Sequence, residues 1–210
     1  VTLVWYAAYG SNLLPARFDC YREGGRPVGG ARTYPGFRDR TAPRDTRGLM
    51  VPGAVYFAWE SPVWTGGIAF YSVRGMQDWP REVAARGYLF TLEQFEDLVA
   101  QEMYREPGAM RIDLDAVVRD GAVRLGEGRY ETVVYLGERA GYPMLTCTAS
   151  WDPASVELRR PAPRYLKMLA DGLRESHGWT AERIHTYLGG LPGVRGLWDI
   201  GELRELIDAA

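Results

Sequence analysis

The sequence has almost no lysine: Lys167 stands alone, and arginine supplies the rest of the 25 basic residues. Against 27 acidic residues the formal charge is -2, and no long basic run occurs. That balance argues against a nucleic-acid partner, because phosphate binding draws on clustered positive charge. Cysteine is scarce as well. Cys20 and Cys147 are too few for a disulfide framework or a structural zinc site, so a reduced, cytoplasmic setting is expected. His177 and His185 are the sole histidines, and no acidic motif of ligand spacing lies near them. No metal site is expected on that ground. No apolar run reaches the roughly 18 residues needed to cross a bilayer, so no membrane partner is expected either. The apolar opening, residues 1–8, is short. It lacks a positive leading region and a cleavage pattern, and it reads as a buried strand rather than a signal peptide.

What is present is an ordinary globular balance. The chain has 210 residues, 46% hydrophobic and 25% charged, enough for one sizeable core or one domain with appendages. Residues 1–9 form an apolar, β-rich strand that ends at Gly10-Ser11-Asn12. A short helix over 13–21 follows, with Ser11 or Asn12 as its cap. Residues 24–53 are rich in Gly, Pro and Arg and read as irregular, with one strand near 31–34. Strands are expected over 54–59, 67–73 and 83–90. The clearest helix spans 91–103. Thr91 caps it, Gln94 completes a capping box, and Leu92, Phe95, Leu98 and Val99 line one face. Alternation of Ile112, Leu114, Ala116 and Val118 with Asp113 and Asp115 predicts a half-buried strand over 110–119. Asp120-Gly121 then reads as a hairpin turn. Further strands are expected over 129–136 and 143–149, and helices from 163, over 180–188 and over 200–209. Strands first and helices last give an α+β domain.

Two places carry chemistry. The turn Tyr9-Gly10-Ser11-Asn12 brings small residues to a strand end, where backbone N–H groups can form a nest for a carboxylate or an oxyanion. The same residues also read as a plain strand-to-helix turn. Glu102 follows Leu98 and Val99 by four and three residues, beside the apolar face of its helix. A carboxyl group against apolar surface can exchange protons near neutrality. By its position alone it reads first as a boundary residue on a solvated helix. Glu96, Asp97 and Glu106 take more solvent-facing places on the wheel. Gly66-Gly67 reads as a bulge or a close backbone approach at a strand start.

Several segments together resemble the γ-glutamylcyclotransferase family. Residues 5–13, Trp5-Tyr6-Ala7-Ala8-Tyr9-Gly10-Ser11-Asn12-Leu13, look like its opening strand and Tyr-Gly-Ser-Asn signature. Residues 64–70, from Trp64 through Gly66-Gly67 to Phe70, resemble its Gly-Gly strand. Residues 87–90 and the helix running to Glu102 are similar to the elements that carry the family's catalytic Glu. Pro163-Arg164-Tyr165-Leu166 resembles the motif that supplies a substrate-facing Tyr. The resemblance spans roughly residues 3 to 190. It implies a small mixed β-barrel with flanking helices, no cofactor, a small-molecule substrate, and a monomer or homodimer. It implies a domain over 1–190 with a helical extension over 191–210 packed on it. By the same resemblance, Glu102 is the acid/base, Tyr6, Ala7, Ala8, Tyr9, Gly10, Ser11 and Asn12 hold the substrate, and Tyr165 closes the pocket. Met110 stands where the family often has a substrate-facing Tyr on the next strand, Met103 follows Glu102 in place of Gly, and residues 138–158 look inserted. The implied reaction releases 5-oxoproline from a γ-glutamyl amine. Amide hydrolysis on another substrate and a non-catalytic binding domain remain open.

Overall fold

The computed structural model describes residues 1–28, 30, 32–61 and 65–209. Strand β1, Leu3–Ala8, is buried along its whole length. It pairs antiparallel with β5, Glu82–Thr91, and parallel with β8, Tyr142–Thr148. A strand with neighbours on both edges and side chains buried on both faces needs an unbroken apolar run, which residues 3–8 supply. The sheet continues with β2, Asp45–Pro52, β6, Ala122–Arg124, and β7, Thr132–Arg139, in the order β2-β5-β1-β8-β7-β6. Strands β3, Ala54–Ala58, and β4, Ile68–Ser72, form a separate antiparallel pair. The architecture is α+β. The described strands fall into two sheets, and no closed barrel is formed among them.

Among the described residues there are six α-helices: α1, Pro15–Arg22; α2, Leu92–Glu102; α3, Leu114–Asp120; α4, Pro163–His177; α5, Ala181–Gly190; and α6, Ile200–Asp208. Helix α2 begins as its sequence requires. The Gln94 N–H donates to Thr91 Oγ1 at 3.1 Å, and the Thr91 N–H donates to Gln94 Oε1 at 2.9 Å. The Thr180 side chain accepts the Arg183 N–H at the start of α5, and the Asp199 side chain accepts those of Gly201 and Glu202 at the start of α6.

The structure corrects several expectations. Residues 114–120 form a helix rather than a strand. Asp113 Oδ1 accepts the Ala116 N–H at 3.0 Å, so the aspartate caps α3 instead of facing water from a sheet. Val117 is buried and Val118 exposed, the reverse of the strand reading. Gly121, at φ 78°, is the left-handed end of this helix and not a hairpin turn. Neither Ser11 nor Asn12 caps α1. Residues 11–13 form one 3₁₀ turn, and Pro15 opens the helix. The stretch 24–53 holds β2 as well as loops. Tyr34 makes a single bridge to Gly25, while Ala31 and Gly29 lie outside the described residues. The strand expected over 143–149 is β8, which lies beside β1 in the sheet.

The chain divides into two compact units. The first comprises Val1–Ala8, Ala16–Arg47 and Arg86–Ser150. Its core is aromatic: Phe18 stacks on Tyr88 at 3.9 Å between centroids, and Tyr6 meets Phe95 at 5.7 Å. The second comprises Tyr9–Pro15, Gly48–Ala85 and Trp151–Ala210. In it, Trp198 Nε1 donates to the Pro161 carbonyl at 3.2 Å and Arg174 donates to the Ile207 carbonyl at 2.9 Å, tying α6 back to α4.

Candidate functional site

In the second unit the chain turns sharply after Tyr9. The Gly10 carbonyl accepts the Leu13 N–H at 2.9 Å, and the Ser11 carbonyl accepts the Leu14 N–H at 3.1 Å. Asn12 is buried, and the Tyr9 ring lies 5.9 Å from that of Tyr71. Tyr71 donates to the Pro52 carbonyl at 2.6 Å, and burial pushes its phenol up to about 12.

Gly10 lies against Tyr165. A Cβ at position 10 would sit 3.1 Å from the Tyr165 hydroxyl and 3.6 Å from the Ala69 Cβ. The Tyr165 Oη accepts the Ala69 N–H at 3.1 Å, and the ring meets Phe57 edge-on at 6.2 Å. Tyr165 itself is only 3% exposed. Its place is fixed by the strap that precedes α4. The Gly67 N–H donates to the Arg160 carbonyl at 2.9 Å. A side chain on Gly67 would collide with the Arg159 carbonyl oxygen, and one on Gly66 would come within 2.7 Å of the Ala162 nitrogen. The glycine pair is thus a close backbone approach, and that approach delivers Tyr165 in the first turn of α4. Trp64, the first residue of the segment read as a Gly-Gly strand, lies outside the described residues.

The remaining candidates belong to the first unit. Tyr6 and Ala8 face its core, and the Ala7 carbonyl accepts the Thr146 hydroxyl at 2.8 Å. Met110 is buried in the same core, where Arg105 Nη1 approaches its sulfur at 3.0 Å. It stands in an irregular stretch, not on a strand, because the polypeptide has yet to reach the Asp113 cap. Glu102 is the last residue of α2 and is half-buried. Its wheel neighbours Glu96 and Asp97 are not solvent-facing. They are 4% and 1% exposed, because loops cover the far side of the helix. Glu96 accepts the Ile112 N–H at 2.8 Å and pairs with Arg111 at 3.0 Å. Asp97 accepts the Gly108 N–H at 2.8 Å and pairs with Arg38 at 2.9 Å. Both are structural ties.

Sequence reasoning passed over Arg17. The residue is 5% exposed, and its Nη2 donates to the hydroxyls of Tyr21 and Tyr34, both at 2.9 Å. Burial works against its charge, but Tyr21, Tyr34 and Glu102 outweigh that and hold it firmly protonated. Burial likewise pushes the Tyr21 phenol and the Cys147 thiol well up, with Glu102 adding to both. The signal was the spacing of Arg17, Phe18 and Tyr21 on one helix face, which placed a cation among core aromatics. Among the described residues, no group of three His, Cys, Asp or Glu side chains could hold a metal ion. No described helix is long and apolar enough to cross a membrane. A cleft of about 700 Å³ in the second unit, bordered by Met50, Glu82, Trp179 and Tyr187, contains none of the candidate residues.

Two solved structures share this arrangement of elements. One is a gamma-glutamyl cyclotransferase, matched over 99% of both chains at 18% identity and a TM-score of 0.51. The chain has the gamma-glutamyl cyclotransferase fold. The other is an uncharacterised protein from Homo sapiens, also matched over 99% of both chains at 18% identity, with a TM-score of 0.52. No family model matches the sequence. Histone deacetylase 5 of Arabidopsis thaliana is 31% identical over 205 residues, which takes in 88% of this chain. The chain spans only 30% of the length of that protein.

Proposed function

We propose that this protein is an enzyme that releases a γ-glutamyl group from an amine or peptide as 5-oxoproline. The observation that carries the reading is the pair formed by Gly10 and Tyr165, in a fold shared with a gamma-glutamyl cyclotransferase. A signature turn kept free of side-chain bulk beside a buried tyrosine hydroxyl is what a backbone cradle needs. Glu102, at the end of a well-capped helix, supplies the proton carrier.

The chemistry is economical in groups. The substrate α-amine attacks its own γ-carbonyl, so the nucleophile is already tethered and little entropy is lost. A C–N bond forms in the five-membered lactam, and the amide C–N bond to the leaving amine breaks. Glu102 takes the proton from the attacking nitrogen and returns it to the departing one. N–H groups of the turn at residues 9–12 stabilise the oxyanion of the tetrahedral intermediate. Tyr165 limits the volume in front of that turn. No cofactor takes part in this scheme.

The test is a panel of γ-glutamyl amides, γ-glutamyl peptides and plain acyl amides, with products analysed by mass spectrometry. 5-Oxoproline is expected from the γ-glutamyl compounds. Glu102→Gln is expected to lower kcat by at least about 100-fold, the usual worth of a positioned acid/base. Full activity in that variant would remove Glu102 from the mechanism. Hydrolysis of plain acyl amides without 5-oxoproline would replace cyclotransfer by amide hydrolysis, and no turnover of any compound would favour a binding domain.

A further inference from the structure

A cleft of about 390 Å³ in the second unit contains none of the residues assigned to the substrate above. Its lining combines two indoles and an aliphatic side chain, Trp59, Trp151 and Val156, with three charged groups, Glu60, Glu157 and Arg159. The volume lies in the range of small-molecule sites, about 300–1,000 Å³. The segments that carry these residues are tied to the β3–β4 pair. The Arg159 N–H donates to the Phe57 carbonyl at 2.9 Å, and Ala58 bridges to Leu158. Trp151 Nε1 donates to the Tyr56 hydroxyl at 2.7 Å, and its ring meets Phe70 edge-on at 4.8 Å. Tyr56 and Phe70 are buried on β3 and β4. The Ser61 N–H donates to the Gly66 carbonyl at 3.0 Å, which fixes the loop just beyond Trp59 and Glu60.

Trp59 is held there at a cost. Its φ of 54° lies in the left-handed region, which a bulky side chain seldom adopts. Glycine would take the same backbone without strain. Burial offsets the strain only in part, because the residue is 38% exposed. The result is a large indole on the wall of a cleft, where a core position would have hidden it.

Rings and charge then favour one kind of ligand. Indoles attract cations through the negative quadrupole of the ring face. Arg159 pairs with Glu157 at 2.8 Å, so those two charges offset each other. Glu60 has no ion pair or hydrogen bond among the described residues, and it leaves the cleft with an uncompensated negative charge. An anion would be repelled by that carboxylate, and a neutral apolar group would gain nothing from it. We propose that this cleft is a second binding site, for the alkylammonium head of a small organic cation, with Trp59 and Trp151 as its ring contacts and Glu60 as its counter-charge.

The test follows the indole N–H signals of the full chain by NMR, assigned with Trp59→Gly and Trp151→Phe. The probes are choline and n-butylammonium, each beside an uncharged counterpart, 3,3-dimethylbutan-1-ol and butan-1-ol, all at one ionic strength. Saturable movement of the Trp59 and Trp151 signals is expected with the cations, at an affinity about 5-fold or more above that of the alcohols. Equal affinity for cation and alcohol would make the cleft an apolar pocket and overturns the proposal. So does the lack of saturable movement with either cation up to tens of millimolar. Glu60→Gln is expected to weaken the cations by about 3-fold and to leave the alcohols unchanged. Unchanged cation affinity in that variant overturns the proposal. Trp59→Gly removes the ring and the left-handed strain together, so it is expected to melt no lower than the parent. Read from the Trp151 signal, it is expected to lose about 5-fold or more in cation affinity, and full affinity in it overturns the proposal. None of these variants alters Gly10, Tyr165 or Glu102, so the outcome stands apart from the cyclotransferase reading.

Discussion

Gly10 separates two requirements that a single residue seldom shows so plainly. Its φ of -104° is negative, so no left-handed conformation demands glycine there. What demands it is the Tyr165 hydroxyl, 3.1 Å from where a Cβ would stand. The obstacle is the end of a side chain and not a backbone atom, so the fold can yield by a few tenths of an ångström. Gly10→Ala is therefore expected to cost about 1 kcal/mol or less in stability. Its effect on turnover is expected to be larger, a fall in kcat/KM of about 10-fold or more, because a methyl group would fill the space in front of the turn. Steady-state kinetics beside a thermal melt separate the two effects. Unchanged kcat/KM in a folded Gly10→Ala protein would remove this turn from the substrate's path.

At the scale of elements, legibility followed how much of the decisive contact lies within one stretch of chain. Helix α2 was readable because its cap, its capping box and its apolar stripe all fall within twelve residues. Helix α3 was misread because seven residues carry too few apolar positions to tell a period of 2 from one of 3.6. Strand β2 was hidden for another reason. It stands last in the sheet order and buries only Leu49 and Val51, while its arginine, glycine and proline suit an edge. Glu96 and Asp97 were misplaced because a helical wheel sees one helix, and the loops carrying Arg38 and Gly108–Ile112 cover its other side. Arg17 was passed over because arginine is ordinarily an exposed residue, although its spacing with Phe18 and Tyr21 put it beside core aromatics. The glycine pair at 66–67 was read as a close approach, and its consequence is specific. Gly67 faces the Arg159 backbone, which cannot swing aside as a side chain can. Gly67→Ala is expected to destabilise by about 2–3 kcal/mol and to loosen the strap that seats Tyr165. Gly190, with nothing within 4 Å of its would-be Cβ, is the control. Gly190→Ala is expected to lie within about 0.5 kcal/mol of the parent. Equal stabilities for the two variants in urea unfolding would show that the strap is not tightly held.

Across the whole molecule the buried weak acids set an alkaline limit. In the first unit, burial raises the Tyr21 phenol and the Cys147 thiol well above their ordinary values. In the second, burial raises Tyr187, whose Oη accepts the Ala84 N–H at 3.0 Å, and pushes Tyr56 and Tyr71 up to about 12. Each folded-state value is raised, so the neutral form is the one the fold prefers. Below the unfolded-state value, both states are neutral and the stability contribution is complete. Above it, the unfolded chain ionises freely while the folded chain resists, and stability is lost until the folded group itself ionises. The thiol begins to act above a pH of about 8.5 and the phenols above about 10. Each wholly buried group then withdraws about 1.4 kcal/mol per pH unit. Urea unfolding at pH 7.5, 9.5 and 10.5 is expected to show a modest loss over the first interval, assigned to Cys147, and a steeper one over the second. Cys147→Ala is expected to flatten the first interval and to leave the second. Stability that holds constant to pH 10.5 in the parent protein would mean that these side chains reach water.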